Sequence, residues 1–408
     1  MSEAAQVDMD RVDVAIVGGG LVGASFAAAL APLIASHGLR VAVIEANRLA
    51  IGGAQPSFDE RSSAIALGSR RHFETLGLWS ALAPRAAAIR DIDVSQRGAL
   101  GRARLSHRDV GTEALGHVLP NALLGEVLHR RLAELPLDWR CPARVEAIAP
   151  QARGYRLQLD DGSRLEADLT VLADGGRSPL KRLLGIETRH HDYRQHALIA
   201  NVETARDHQG CAFERFTADG ALALLPQAER RMALVWSRAP QRLEVVRGLD
   251  DDAFLDALQR EFGTRLGRFL RVGSRHVYPL ALSRAREQSR PHLAVLGNAA
   301  HAIHPVAGQG FNLALRGVMD LAAAVETALQ AGRTPGEAAT LADFERRRGD
   351  DRDLIVQASD ALVRLFDLRL PGAAGARGAA LGLFNLATPL KRSLVRRAMG
   401  LERRAGVD

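Results

Sequence analysis

The stretch that decides the fold is VDVAIVGGGLVGASFAAAL, residues 12–30. A β-branched run, Val12 to Val17, stops at Gly18-Gly19-Gly20, and Gly23 precedes a run of small residues suited to a helix. Gly18, Gly20 and Gly23 fit G-x-G-x-x-G between a first strand and a first helix. In that pattern one glycine makes the turn, one lets backbone approach a pyrophosphate, and one packs helix on strand. Amides at the helix start then face the phosphates, where the helix dipole also favours negative charge. A second apolar run, Val41 to Ile44, ends in Glu45. That acid is placed to accept from a ribose hydroxyl and disfavours a 2′-phosphate, so FAD or NAD is expected rather than NADP. The glycines alone would read as a turn; strand, helix and terminal acid together outweigh that reading.

The arrangement recurs twice. Leu169 to Ala173 runs into Asp174-Gly175-Gly176-Arg177-Ser178-Pro179, and Leu293 to Leu296 runs into GNAAHAIHPVAGQGFN, residues 297–312. In a parallel α/β sheet, ligands bind beyond the carboxyl ends of the strands. His301 and His304 raise a metal question, since they could share one helical face. No nearby cysteine, aspartate or glutamate completes a ligand set before Pro305, so no metal site is expected. His190, His191 and His196 make no better case. Gly308, Gln309 and Gly310 lead toward a helix beginning around Phe311 and Asn312.

The composition is that of an ordinary globular protein: 408 residues, 47% hydrophobic and 25% charged. An aromatic content of 4% gives little support to base stacking, so no nucleic-acid partner is expected, and the net charge of +7 is read as solubility, anionic-cofactor binding or contact with acidic lipid. Cys141 and Cys211 form no CxxC pair and read as free thiols of a cytoplasmic chain. No basic stretch precedes an apolar core at the N-terminus, and Ala24 to Ala35 is interrupted by Pro32 and too short to span a bilayer.

Taken in order, GGGLVG, LADGGRS and GNAAHAIHPVAGQGFN resemble the motifs of the class A flavoprotein monooxygenases, the p-hydroxybenzoate hydroxylase-like enzymes. FDERSSAIALGSRRHFETLGLW (Phe58 to Trp79), AFERFT (Ala212 to Thr217), YPLAL (Tyr278 to Leu282) and NLALRGVMDLA are similar to the ubiquinone-biosynthesis hydroxylases of that family. The resemblance implies an α/β chain with a Rossmann-like FAD-binding domain, a β-sheet substrate domain and C-terminal helices. FAD-binding parts are expected at 1–75, 115–185 and 286–345, substrate parts at 76–114 and 186–285, and a helical region at 346–408. It further implies an enzyme that hydroxylates a prenylated phenol with O2 and NAD(P)H through a flavin C4a-hydroperoxide.

Carried onto this sequence, the family roles place Gly18, Gly20 and Gly23 at the pyrophosphate and Glu45 at the adenosine ribose. Arg61 falls near the ribityl and phosphate region, or pairs with Asp59 or Glu60. Asp174 and Gly175 fall where flavin and nicotinamide functions meet, though Asp174 could equally cap its turn. Asn298 stands where most relatives have an aspartate toward the ribityl chain, and its amide can still accept. Gly317 likewise replaces a common aspartate, and Asn121-Ala122 replaces a common arginine. Pro305 and Gly308 supply backbone at the flavin, and Gln309, Gly310 and Asn312 complete that wall. Exposed amides there would stabilise negative charge on the reduced flavin's pyrimidine edge. No side-chain base is assigned.

Between the second and third motifs, Ala212 to Phe216, Ala221 to Leu225 and Arg231 to Trp236 read as antiparallel strands. Phe213, Phe216, Leu224 and Trp236 are candidates for an apolar substrate pocket, or ordinary sheet core. Near the C-terminus, Arg346 onward reads as a helix. Leu381 to Leu386 with Lys391, Arg392, Arg396 and Arg397 reads as an amphipathic helix, either peripheral to the inner membrane or a ubiquinone-pathway complex, or packed on the core with a solvated basic face. Three other functions stay open: a hydroxylase of another ring position or of a soluble phenol, an FAD dehydrogenase or oxidase, and a low-turnover assembly protein.

Overall fold

The computed structural model describes residues 10–48, 61–99, 101–303, 308–367 and 388–401, with single positions 375, 380, 382 and 385. Strands Leu293–Val295, Arg164–Leu172, Asp10–Val17, Val41–Ile44 and Asp138–Arg140 lie side by side in that order, all parallel. Parallel strands covered on both faces are apolar throughout, and these are. Val14, Ile16, Val43, Leu169 and Val171 face the helices, packing with Phe26 of helix Leu21–Ala29 and Leu315, Val318 and Leu321 of helix Gln309–Gln330. Ala15, Val17, Leu165 and Leu172 face the other way, under the antiparallel strands Val145–Gln151 and Gly154–Leu159.

A second, mostly antiparallel sheet runs in the order His301–Ala302, His276–Ala285, Thr188–Thr204, Arg231–Arg238, Gly220–Pro226, Cys211–Thr217, Asp91–Gln96 and Arg102–Ser106. The expected hairpin is present, with Phe213 opposite Leu224 and Leu222 opposite Trp236. Strand alternation sorts its side chains. Phe213, Leu224 and Trp236 turn outward, packing with Phe254, Leu258 and Phe262 of helix Asp251–Phe262. Ala212, Phe216, Ala221 and Leu225 turn inward. The sheet curls until Leu282 and Tyr193, on its far strands, pack with Phe216. A third sheet, of Ser62–Ala66, Gly116–Pro120 and Ala87–Ile89, lies against the inward face through Ala64 and Val118 beside Ala212 and Leu225.

Several boundaries differ from the sequence expectation. His301 lies on a short strand opposite Arg284, not on a helix, because Gly297–Ala299 has already made the turn. The helix expected near Phe311 starts at Gln309, and the one expected from Arg346 starts at Ala338. Most of 381–386 lies outside the described residues. The amphipathic helix is Thr388–Ala398, and it packs on the core: Val395 and Met399 join Leu67 and Leu115, while Lys391 pairs with Asp109 at 3.0 Å. No helix among the described residues is long and apolar enough to cross a membrane.

Helix Leu21–Ala29 can approach its strand only because position 23 has no side chain. A Cβ there would stand 1.8 Å from the Gly18 carbonyl oxygen, far inside contact distance. Gly23→Ala should therefore destabilise the fold by about 2 kcal/mol or more, from forced overpacking. An unfolding midpoint equal to wild type in urea would contradict this packing.

Candidate functional site

The three glycine-rich turns meet at the carboxyl ends of adjacent parallel strands. Gly18, at φ +106°, turns so closely that a Cβ would lie 2.7 Å from the Ala173 carbonyl oxygen and 2.8 Å from Asp174 Cα. A Cβ at Gly176 would meet the Asn298 carbonyl oxygen at 3.4 Å, and one at Gly297 would meet Val22 at 2.8 Å. Motifs far apart in sequence thus touch backbone to backbone. Gly20 caps helix Leu21–Ala29, which receives no side-chain cap and has no acid in its first turn. Its leading amides suit an anion.

Glu45 ends the neighbouring strand. Its Oε2 accepts from the Gly19 amide at 2.7 Å, and its Oε1 accepts from the Asn47 amide at 2.8 Å and Nδ2 at 3.0 Å. A carboxylate offers about four acceptor sites, so one is left for a ribose hydroxyl. Cradle, uncapped helix and acid together fit the pyrophosphate and ribose of FAD. His129, missed in the sequence, braces this loop: its Nε2 lies 2.9 Å from the Gly19 carbonyl oxygen, and its ring meets Trp139 edge-on at 5.7 Å.

Asp174 holds its own turn. It accepts from the Gly176 amide at 2.9 Å, the Ser178 amide at 3.0 Å and the Ser178 hydroxyl, which is the capping role left open above. Gly175 and Asn298 are exposed beside it. They line a cleft of about 570 Å³, with Gly176, Lys181, His190, Ser283 and Ala302 also at its wall. Lys181 donates to the Ala299 carbonyl at 2.8 Å, and burial holds its ammonium below the ordinary lysine range. Its sequence signal was a lysine following the Asp-Gly turn within the same short helix, Leu180–Leu183.

At the far end of the third motif, Gly308 takes φ +59° and starts helix Gln309–Gln330, where a Cβ would crowd Ala64 Cβ at 3.0 Å. Asn312 is buried and its side chain is engaged. It donates to the carbonyls of Ala64 at 2.8 Å and Gly308 at 2.9 Å and accepts from the Ala66 amide at 2.8 Å. The asparagine therefore clamps the helix start to strand Ser62–Ala66. Gln309 and Gly310 keep accessible surface next to it, while Pro305 and His304 lie outside the described residues. Arg61 stacks over the Tyr278 ring at 5.0 Å, and its carbonyl accepts from the Asn121 amide at 2.9 Å. Asn121 also accepts from the Ser63 hydroxyl at 2.7 Å, and Ala122 is exposed.

Gly317 has a local reason. A Cβ there would fall 2.2 Å from Arg348 Nη1, so the guanidinium covers the place an acid would fill. Arg348 is buried and its pKa is lowered to about 10 by that burial, against the pull of Asp320. His301 is buried nearby. Burial first, then Arg348, Arg352, Arg284 and Arg316, push its imidazole down to about 3, so it is neutral. Of the four pocket candidates, Phe213, Leu224 and Trp236 pack in the sheet core beneath the outer helix, the alternative left open above, and Phe216 faces inward.

The family model described as "FAD binding domain" matches residues 11–350. The chain is 38% identical over 397 residues to ubiquinone hydroxylase UbiL of Rhodospirillum rubrum, covering 96% of this chain and 90% of that protein. It is 29% identical over 391 residues to 3-demethoxyubiquinol 3-hydroxylase of Escherichia coli, covering 95% and 98% respectively. Its fold is similar to the crystal structure of p-nitrophenol 4-monooxygenase PnpA from Pseudomonas putida DLL-E4, with a TM-score of 0.78 at 19% identity, covering 97% of this chain and all of that one.

Asn298 is exposed at the cleft and able to accept through its oxygen. Asn298→Asp should keep or tighten FAD binding, by up to about tenfold if the acid gains a charge-assisted hydrogen bond. Fluorescence titration of the apoprotein with FAD measures it, and loss of FAD binding would show that position 298 plays another part.

Proposed function

Because the chain belongs to the FAD binding domain family and is an FAD-dependent aromatic hydroxylase using NAD(P)H, we propose that it hydroxylates a prenylated phenol in ubiquinone biosynthesis with O2. A 2-prenyl-6-methoxyphenol, the substrate type of 2-octaprenyl-6-methoxyphenol hydroxylase, is the finer reading its motifs suggest. The observation that carries the proposal is the convergence of the Gly18, Asp174 and Gly297 turns beside a sheet whose inward face carries apolar clusters. The six-part division given above is the partition we propose.

When bound, the flavin supplies oxygen-transfer chemistry; the protein supplies binding, orientation and electrostatics. Gly18, Gly20 and Gly23 hold the pyrophosphate, and Glu45 holds the ribose. Asp174 keeps Gly175 and Gly176 open at the cleft, where the nicotinamide visits. The helix start at Gly308 to Asn312, clamped by its asparagine, favours negative charge next to it. Arg61, stacked on Tyr278, serves the ribityl and phosphate region. The inward sheet face excludes water and orients the ring, contributing through proximity and a low dielectric. Contact with acidic lipid falls to Arg392, Arg396 and Arg397, which are exposed on the last helix.

Anaerobic reduction of the FAD-loaded enzyme by NAD(P)H, followed by mixing with 18O2 and 2-geranylphenol, should give a phenol heavier by one 18O atom. Flavin reoxidation that yields only hydrogen peroxide favours an oxidase, and the absence of NAD(P)H-dependent reduction with phenol present favours an assembly role.

A further inference from the structure

AFERFT places an acid among apolar residues on the inward face of the curled sheet. Residues alternate along Cys211–Thr217: Phe213 and Arg215 point out, toward Phe262 and the Glu261 carbonyl, and Ala212 and Phe216 point in. Glu214, between the last two, therefore points in. Its cross-strand neighbours on that face are Ala223 and Val94. Ala212 belongs to the apolar cluster that includes Ala64 and Val118, and Phe216 to the one that includes Tyr193 and Leu282. Ala64 is also the residue against which Gly308 sits. Glu214 stands two residues along an extended strand from Ala212, about 7 Å on.

Such a position should be hostile to a carboxylate. Glu214 Oε1 is sealed from solvent and has no hydrogen-bond partner among the described residues. A buried acid without a partner carries a desolvation cost with no structural return. Yet the residue as a whole keeps some accessible surface. Both hold if that surface opens on the inward side of the sheet.

We propose that Glu214 is a catalytic residue that touches substrate, its carboxylate accepting the ring-hydroxyl proton of the phenol held between the inward sheet face and the Gly308 turn. This rests on the phenol-hydroxylase reading given above. In the step, the phenol O–H bond breaks and the proton bonds to a Glu214 oxygen. The electron pair stays on the phenol oxygen and delocalises into the ring, which becomes the stronger nucleophile. No oxidant or reductant is consumed.

The electrostatic setting agrees. Burial alone pushes the Glu214 carboxyl up to about 8, so its ionised form is a stronger base than an ordinary carboxylate, tuned near working pH. Gln96 is the nearest polar group on Asp91–Gln96, Tyr193 lies on Thr188–Thr204, and Tyr278 and His276, with Arg61 stacked on Tyr278, stand further along the inward face. Asp93, Arg215 and Arg265 are engaged on the outer face. None of these charges figures in the shift.

The test compares wild type, E214Q and E214D as FAD-loaded enzymes in single-turnover hydroxylation of 2-geranylphenol across pH. Wild-type rate should rise as pH rises through about 8, where the carboxylate forms. E214Q should lose that limb and fall about 100-fold, with E214D recovering part of both. FAD content should match wild type. The fold gives a second readout. The native carboxyl stays neutral while the unfolded one ionises, so wild-type stability should fall relative to E214Q between about pH 5 and pH 8. E214Q with wild-type rate and pH profile overturns the Glu214 assignment alone. A wild-type enzyme that transfers no oxygen to the phenol overturns the hydroxylase reading, and the assignment with it.

Discussion

The structure depends on one close approach: the Gly18 backbone pressed against the Ala173 carbonyl and Asp174, at a distance no side chain allows. Strand pairing sets it up, because Val17 lies opposite Leu172 in parallel register and the Ala173 amide donates to the Val17 carbonyl at 2.8 Å. Once the first two strand ends touch, the third is drawn in through Leu172 opposite Val295, and its turn closes on Val22. The first helix then has only one place to start, and Gly23 lets it start there. An uncapped helix start suited to an anion, a turn held by Asp174 and an exposed Asn298 follow from that single convergence.

The antiparallel sheet works by segregation. Its outward face carries the charges, Asp93 with Arg265 and Glu261 with Arg97 and Arg238, beside a core of Phe213, Leu224 and Trp236. Its inward face carries alanines, Val94, Leu225 and Phe216. Small residues there keep the face low, and curling brings Tyr193 and Leu282 of the far strands onto Phe216. A carboxyl inside feels little but desolvation, which is how an ordinary glutamate becomes a stronger base.

Much of this was legible in the sequence. Strand, glycines and terminal acid identified the nucleotide end of the fold, and the hairpin and its neighbouring strand were readable from Ala212 to Trp236. What could not be read was which face of each strand looks where. The periodicity of Phe213, Leu224 and Trp236 says only that they share a face; the helix Asp251–Phe262 that covers it comes later in the chain. The same limit hid Glu214, which reads as a surface acid until the alternation is anchored. Asn312 looked like a ligand because it ends a glycine motif, whereas its partners Ala64 and Ala66 lie 248 and 246 residues back in the chain. Gly317 looked like a lost acid until Arg348 was seen to occupy the space.

The central claim is that the three strand-end turns form one FAD cradle facing the inward side of the antiparallel sheet. A crystal structure of the FAD-loaded protein tests it most directly. The account predicts the pyrophosphate at the amides of Gly20 and the following helix turn, a ribose hydroxyl on Glu45, and the isoalloxazine beside Gly308 to Asn312. Its reacting face should be turned toward Glu214 and Phe216. An isoalloxazine lodged away from the Gly308 turn, or turned from that sheet, would contradict it.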